Sequence, residues 1–252
     1  MKKSIVPVDV LSAAESNLAA LARNSYVGRG MIVGLDDSGK FLVQMYWIMG
    51  RSENSRNRVF EREGGRLFTE AADPSKVKDP SLIIYNAMGE QSTGMAVVSN
   101  GHQTDAVMGV NSEDVLQILS DWQYEPDENF TPRITAVSYW WKDKANAEIS
   151  LLRKSPFGDD CNRNLYKRNG IGKGFGYCIT TYVGDGDPLP AFQGEPYLLP
   201  LGGDANFIAG TYWDALNADN RVSLAVKFIP KEGPSHIVIN NKYKKGPFPT
   251  LA

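Results

Sequence analysis

Apolar and polar positions change period several times along this chain, and each change predicts an element. Residues 9–24 carry Leu11, Ala14, Leu18 and Leu21 at helical spacing, and the Ser12…Glu15 pair reads as a capping box at the start of that helix. Past Gly28 the pattern turns to strands. GMIVGLDDSGKFLVQMYWI holds two apolar runs around Asp36-Asp37-Ser38-Gly39, a good hairpin loop. The stretch RSENSRNR, from Arg51 to Arg58, has no apolar periodicity, and a second hairpin follows where Val59-Phe60 and Arg66-Leu67-Phe68 flank Gly64-Gly65. Residues 82–85 and 95–98 are short apolar runs of buried-strand type. A helix begins at Asn111 or Ser112, with Val115, Leu116, Leu119 and Trp122 on one face. Further strands are predicted at 134–141, 147–152, 176–183, 221–228 and 236–240, and one short helix at 209–218.

No internal repeat or low-complexity linker interrupts this order. Pro and Gly cluster between Gly184 and Gly203, which reads as a long ordered loop, because the strands on either side are too few to build separate cores. One domain over 1–252 is the expectation, with helices packed on mainly antiparallel sheets in an α+β fold.

Composition narrows the function classes. Among 252 residues, 27 Lys and Arg meet 29 Asp and Glu, a net charge of -2 that lacks the basic excess of a non-specific nucleic-acid binder. Any anion site must therefore come from local clustering of cations. Cys161 and Cys178 are too few for a disulfide framework and match no zinc spacing, while His102 and His236 are the only histidines. The opening MKKSIVPVDVLSAAESN superficially resembles a signal peptide, but Pro7 and Asp9 break its apolar stretch. No run reaches the ~18 apolar residues of a membrane span, so a soluble cytoplasmic protein with no membrane partner is expected.

Three constellations carry candidate chemistry. Arg51, Arg56 and Arg58 fall in one loop, with Arg29 just before the first strand, and arginine suits multi-donor recognition of phosphate or carboxylate. Ser52, Asn54, Ser55 and Asn57 lie between those cations, and Glu53 is the only acid among them, whereas a merely solvated loop more often mixes both signs. Second, SNGHQTDA follows an apolar strand and puts Asn100, His102, Thr104 and Asp105 at a sheet edge; a simple Asx-type turn is the plain alternative. Third, YEPDENFTPRI offers carboxylates on a loop, usually solvated, yet near an arginine cluster a natural general base. GIGKGFG fails the phosphate-loop spacing and precedes a strand, so it reads as a flexible turn. Nothing near Cys161 suggests an activated nucleophile.

YVGRGMIVG, the loop ending at Asn57-Arg58, AVVSNGHQTD and TPRI together resemble the archaeal-type IMP cyclohydrolases in order and spacing. The resemblance covers 25–140 well and is weaker over 141–190, where YCITTYVGDGDP is similar to a later strand of that family. Residues 1–24 read as an N-terminal helical extension and 191–252 as an expanded C-terminal part, neither with a firm match. The resemblance implies a four-layer αββα sandwich like that of the N-terminal nucleophile hydrolases, without their processed nucleophile. It implies closure of 5-formamidoimidazole-4-carboxamide ribotide to inosine 5′-monophosphate (IMP) with loss of water, and neither metal nor organic cofactor. By motif it implies Arg58, Tyr85 and Glu125 as catalytic residues. Arg29, Arg51, Ser52, Asn57, Asn86, Asn100, Gly101, Thr104, Asp105, Thr131 and Arg133 would line the ribotide site, with Arg29, Arg51 or Arg133 taking the phosphate. A homo-oligomer is the expectation, because paired sheets with exposed edges often self-associate. Two other readings stay open: a nucleotide-binding protein that has lost catalysis, and an amidohydrolase self-processed before Cys161, a Ser or a Thr.

Overall fold

A computed structural model describes residues 9–77, 79–91, 95–109 and 115–245. In chain order its first half comprises α1 (Val10–Arg23), β1 (Gly30–Leu35), β2 (Phe41–Met49), α2 (Glu53–Arg56), β3 (Val59–Glu63), β4 (Arg66–Glu70), β5 (Asn86–Glu90) and β6 (Met95–Ser99). Next come α3 (Gln103–Met108), α4 (Val115–Ile118), β7 (Arg133–Trp141), β8 (Lys144–Lys154), β9 (Cys161–Asn169) and β10 (Phe175–Thr180). The chain closes with β11 (Tyr197–Pro200), α5 (Ala205–Ala215), β12 (Arg221–Pro230) and β13 (His236–Asn241).

Two antiparallel sheets result. The first runs β11-β10-β1-β2-β12-β13, and the second is a seven-stranded meander from β3 to β9 in sequence order. Met31, Val33, Tyr46 and Ile48 of the first sheet pack against Phe60, Leu67, Val98 and Ile134 of the second. The alternate residues Ile32, Val43, Met45 and Trp47 face outward onto Leu21 of α1 and onto Ala205, Ile208 and Tyr212 of α5. On the far side Val97, Val137 and Leu152 meet Val107 of α3 and Leu119. The layers are therefore helix, sheet, sheet, helix: an α+β sandwich. Burial on both faces explains why β1 and β2 read as unbroken apolar runs instead of alternating. Among the described residues no helix is long and apolar enough to cross a membrane.

Several boundaries differ from the sequence reading, each for a local reason. Asp9 caps α1 by accepting the Ser12 N–H at 3.2 Å, so Ser12 and Glu15 lie inside the helix and form no capping box. Residues 82–85 are not a strand. Asp79 accepts the Ser81 N–H at 2.9 Å and Pro80 opens a 3-10 turn over Pro80–Leu82, leaving β5 to begin at Asn86. α5 starts four residues before its expected position because Asp204 caps it, accepting the Phe207 N–H at 2.8 Å. Two strands escaped prediction. β9 is mostly polar, with no alternating apolar face, and lies at a sheet edge, and β11 sits inside the Pro- and Gly-rich stretch, paired with β10. The turn read into SNGHQTDA contains α3, and the Arg51 loop contains α2. The expected start of the helix at 111 or 112 lies outside the described residues.

Candidate active site

At one end of the sandwich the start of β1, the end of β2 and the β6–β7 edge meet. Gly28 turns the chain there with φ +70°, and a Cβ on it would fall 2.3 Å from Thr181 Oγ1. That close approach lets the next N–H, of Arg29, donate to Thr181 Oγ1 at 3.1 Å and sends the Arg29 side chain inward. Its guanidinium grips Glu125 bidentately, Nη1 to Oε1 at 2.8 Å and Nη2 to Oε2 at 2.7 Å, and Nη1 also donates to the Asn100 carbonyl at 3.2 Å. Arg133 approaches the same carboxylate at 3.8 Å, donates to Gln103 Oε1 at 2.8 Å and lies over the Trp122 ring. A Cβ on Gly101 would meet Arg133 Nη1 at 2.5 Å, so this cluster needs bare backbone there.

Burial alone would lower the Arg29 pKa, but Glu125 reverses the sign and raises it well above the usual value. Arg133 ends lower than usual because burial there outweighs the pull of Glu125. Its weaker hold on the carboxylate, 3.8 Å against 2.7 Å, fits that difference.

A cavity of about 260 Å³ opens beside Glu125. Its lining includes Arg29, Glu125, Asp127, Thr131 and Tyr182 together with Arg51, Ser52, Asn54, Ser55 and Arg58 from the β2–β3 connection. Thr131 Oγ1 donates to Asp127 Oδ2 at 2.5 Å, so the Tyr182 hydroxyl, 2.6 Å away, donates to Thr131. Burial pushes the Tyr182 phenol up to about 12. Arg51 is half-exposed, pairs with Asp185 at 2.5 Å and stacks on Tyr26. Arg58 differs from the others. It is 7% exposed, its Nε is buried without a hydrogen-bond partner, and it pairs with no carboxylate among the described residues.

The remaining expected residues fall into two groups. Tyr85 is buried and does not line the cavity; its hydroxyl is 2.7 Å from that of Tyr46, and it lies near enough to Arg29 to act on it electrostatically. Asn57, Asn86, Asn100, Gly101, Thr104, Asp105 and Arg133 do not line the cavity, Arg133 reaching it only through Glu125. Asn57 is tied to the Asp73 backbone at 2.8 and 2.7 Å, and Asn86 binds Asp105 at 2.7 Å. Thr104 Oγ1 donates to the Gly101 carbonyl, while Asn100 donates to Pro132 O and accepts from Ile134 N. These bonds hold the loops that carry the lining residues. Sequence reasoning missed Tyr26, Tyr46, Asp127, Tyr182 and Asp185. Tyr26 and Tyr182 sit in the segments that resemble the cyclohydrolases, Asp127 in the acidic loop, and Tyr46 is hidden in an apolar strand.

Cys161 lies on the edge strand β9, where burial pushes its thiol up, the opposite of what a nucleophile needs. Among the described residues no cluster of three His, Cys, Asp or Glu is placed to hold a metal.

Fold and site together define an α+β sandwich whose end cavity sets two carboxylates, Glu125 and Asp127, among several arginines. Residues 26–233 match the IMP cyclohydrolase-like protein family, and the chain belongs to it. The match runs well past residue 190, so most of the part read as lacking a counterpart is family sequence as far as 233. No curated protein matches the chain.

Proposed function

We propose that the protein is an IMP cyclohydrolase, acting on the formyl ribotide to close its six-membered ring with loss of water. The observation that carries this reading is the company Arg58 keeps. A buried arginine without a counter-ion is costly, and this one borders a cavity shared with Glu125. An anionic ligand, or an oxygen that becomes anionic during reaction, offsets that cost.

The chemistry asks for such an arrangement. The carboxamide nitrogen is a poor nucleophile because its lone pair is delocalised. As it attacks the formyl carbon, the formyl oxygen gains negative charge. Arg58 donates to that oxygen, a role whose loss costs roughly 10²–10³ in rate per donor in other enzymes. Glu125, held by Arg29 and steadied by Arg133, keeps lone pairs free toward the cavity. It takes one proton from the carboxamide nitrogen and passes it to the formyl oxygen. It then takes the proton of the former formamide nitrogen and delivers it to that hydroxyl, which leaves as water as the ring C=N bond forms, so it acts as base and then as acid in each half of the reaction. The reaction is intramolecular, so holding the two arms coplanar accounts for much of the acceleration, up to roughly 7–11 kcal/mol in favourable systems.

Arg29 and Arg133 are engaged with Glu125, which leaves Arg51, with Ser52 and Ser55, for the 5′-phosphate. The phosphate then competes with Asp185 for Arg51. A soluble ribotide fits work in the cytoplasm, and the edge strand β9 offers a surface for homo-oligomer formation. The test is ultraviolet detection of IMP formed from the formyl precursor by the purified chain. Binding of IMP without turnover would leave a nucleotide-binding protein, and absence of both would remove the reading.

A further inference from the structure

Residues 183–190 form a flap beside the cavity, and its two ends are tied together. The Val183 N–H donates to the Pro190 carbonyl at 3.0 Å, Tyr182 forms a bridge with Ala191, and the Phe192 N–H donates to the Thr181 carbonyl at 3.0 Å. Leu189 of the flap and Arg51 of the β2–β3 connection both line the cavity. Arg51 Nη1 donates to Asp185 Oδ1 at 2.5 Å and to the Gly186 carbonyl at 3.1 Å, and its guanidinium lies 5.0 Å from the centre of the Tyr26 ring. Asp185 Oδ1 also accepts the Gly186 N–H at 3.0 Å. The two side chains are 39% and 42% exposed, so the ion pair adds little to stability. Its place matters more than its strength. A carboxylate on a tethered loop occupies a cation of the cavity wall, and to a guanidinium carboxylate and phosphate offer the same chemistry. Two anions on one guanidinium repel each other, so an incoming phosphate must displace Asp185 or bear its repulsion.

We infer that Asp185 is a built-in stand-in for the ligand's phosphate: it neutralises Arg51 while the cavity is empty, yields to the phosphate on binding and retakes Arg51 as product leaves. This rests on the cyclisation reading, which gives the 5′-phosphate to Arg51. Exchanging one ion pair for another leaves the phosphate held less tightly than Arg51 alone would hold it, and that favours product release. A ligand without a phosphate leaves the pair undisturbed.

The test titrates the full chain with IMP and with inosine, which lacks the phosphate, at low ionic strength, where an exposed pair is screened least. Asp185→Asn keeps the shape of the side chain and removes its charge. It is expected to tighten IMP about three- to fivefold, the scale of an exposed ion pair, and to leave inosine within about twofold. Arg51→Gln weakens IMP about tenfold or more, and adding Asp185→Asn to it shifts IMP affinity by less than about twofold, because the contested cation is gone. Unchanged or weaker IMP binding in Asp185→Asn would overturn the inference, and weaker binding would make Asp185 a support that orients Arg51. Tightening that extends equally to inosine, or that persists without Arg51, would overturn it too, since the charge would then act without competing for Arg51. Where inosine binds too weakly to titrate, the Arg51→Gln background carries the same decision. Binding needs no turnover, so a chain that binds IMP without forming it still decides the role of Asp185. A wild-type chain that binds no IMP removes the cyclisation reading itself, whatever the variants do.

Discussion

Both ends of the sandwich bury a cation against a carboxylate. At one end Arg29 holds Glu125 at 2.7 Å; at the other Lys227 of β12 meets Glu90 of β5 at 2.8 Å. Lys227 also donates to the Gly65 carbonyl, and Ser235 adds a bond to Glu90. The neighbouring charges Lys231 and Asp143 pair with each other at 2.7 Å. The cavity at that end is the larger, about 490 Å³ against about 260 Å³. Size does not separate the two ends, and neither does a buried ion pair. Charge balance does. At the Lys227 end these charges cancel in pairs, whereas at the other end Arg29 and Arg133 share Glu125, and the buried Arg58 has no carboxylate partner among the described residues. A surplus cation beside open space calls for an anion from outside.

Removing the carboxylate that Arg29 and Arg133 share breaks that contrast most severely. Glu125→Gln is expected to lower turnover by about 10²–10⁴ while leaving IMP affinity within a few-fold, measured by kinetics and by titration. Turnover at the wild-type rate would take Glu125 out of the proton-transfer role. Arg58→Ala removes the surplus cation itself. Its kcat should fall by about 10²–10³, and because a buried unpaired charge disappears, thermal stability should hold or rise. A variant that loses stability without losing rate would make Arg58 a structural residue.

How the sequence encodes these two ends differs as well. The β1–β2 hairpin was legible because its instructions are local: the Asp36 carboxylate accepts N–H bonds from Ser38, Lys40 and Phe41, and Gly39 supplies φ +75°. The β9 strand was not, since an edge strand needs no apolar face and CNRNLYKRN shows none. α5 was placed late because its first turn exposes Phe207 and its start signal is a single Asp cap. For the site, the arginines were visible as a cluster and Glu125 as a loop acid. Their pairing joins residues 96 positions apart, and no local pattern announces such a bond. Tyr46 was invisible for a related reason: in an apolar run a tyrosine looks like any core aromatic.

The Lys227 end makes a smaller, opposite prediction, in stability instead of rate. Glu90→Gln leaves a buried ammonium facing a neutral amide. It should cost about 2–3 kcal/mol, less than the 3–5 kcal/mol of fully buried pairs, because the Glu90 side chain keeps 35% exposure. Activity at the other end should be unchanged. The pH dependence has a definite sign. Burial would raise the Glu90 pKa, but Lys227 and Ser235 outweigh it and hold the carboxyl below its ordinary value near 4.5. A folded-state pKa below the unfolded one gives stability that is present above the unfolded value and lost as pH falls through the folded one. Wild type should therefore lose more stability than Glu90→Gln on acidification below about pH 4.5, followed by denaturant unfolding at each pH.

Lys227→Met should have the smallest effect. The methionine keeps the volume of the lysine stem, and the desolvation of the ammonium, which holds Lys227 below its ordinary pKa despite Glu90, disappears with the charge. Glu90 is left unpaired, but it can turn its carboxylate to solvent, since a third of its side chain is already exposed. Replacing a buried cation by a well-packed apolar side chain is often neutral or stabilising, so unfolding free energy should shift by no more than about 1 kcal/mol and IMP formation not at all. A loss of turnover in this variant would mean that the two ends communicate through β12. The balanced pair would then act on the reaction, and the division of the sandwich into a catalytic end and a structural end would fail.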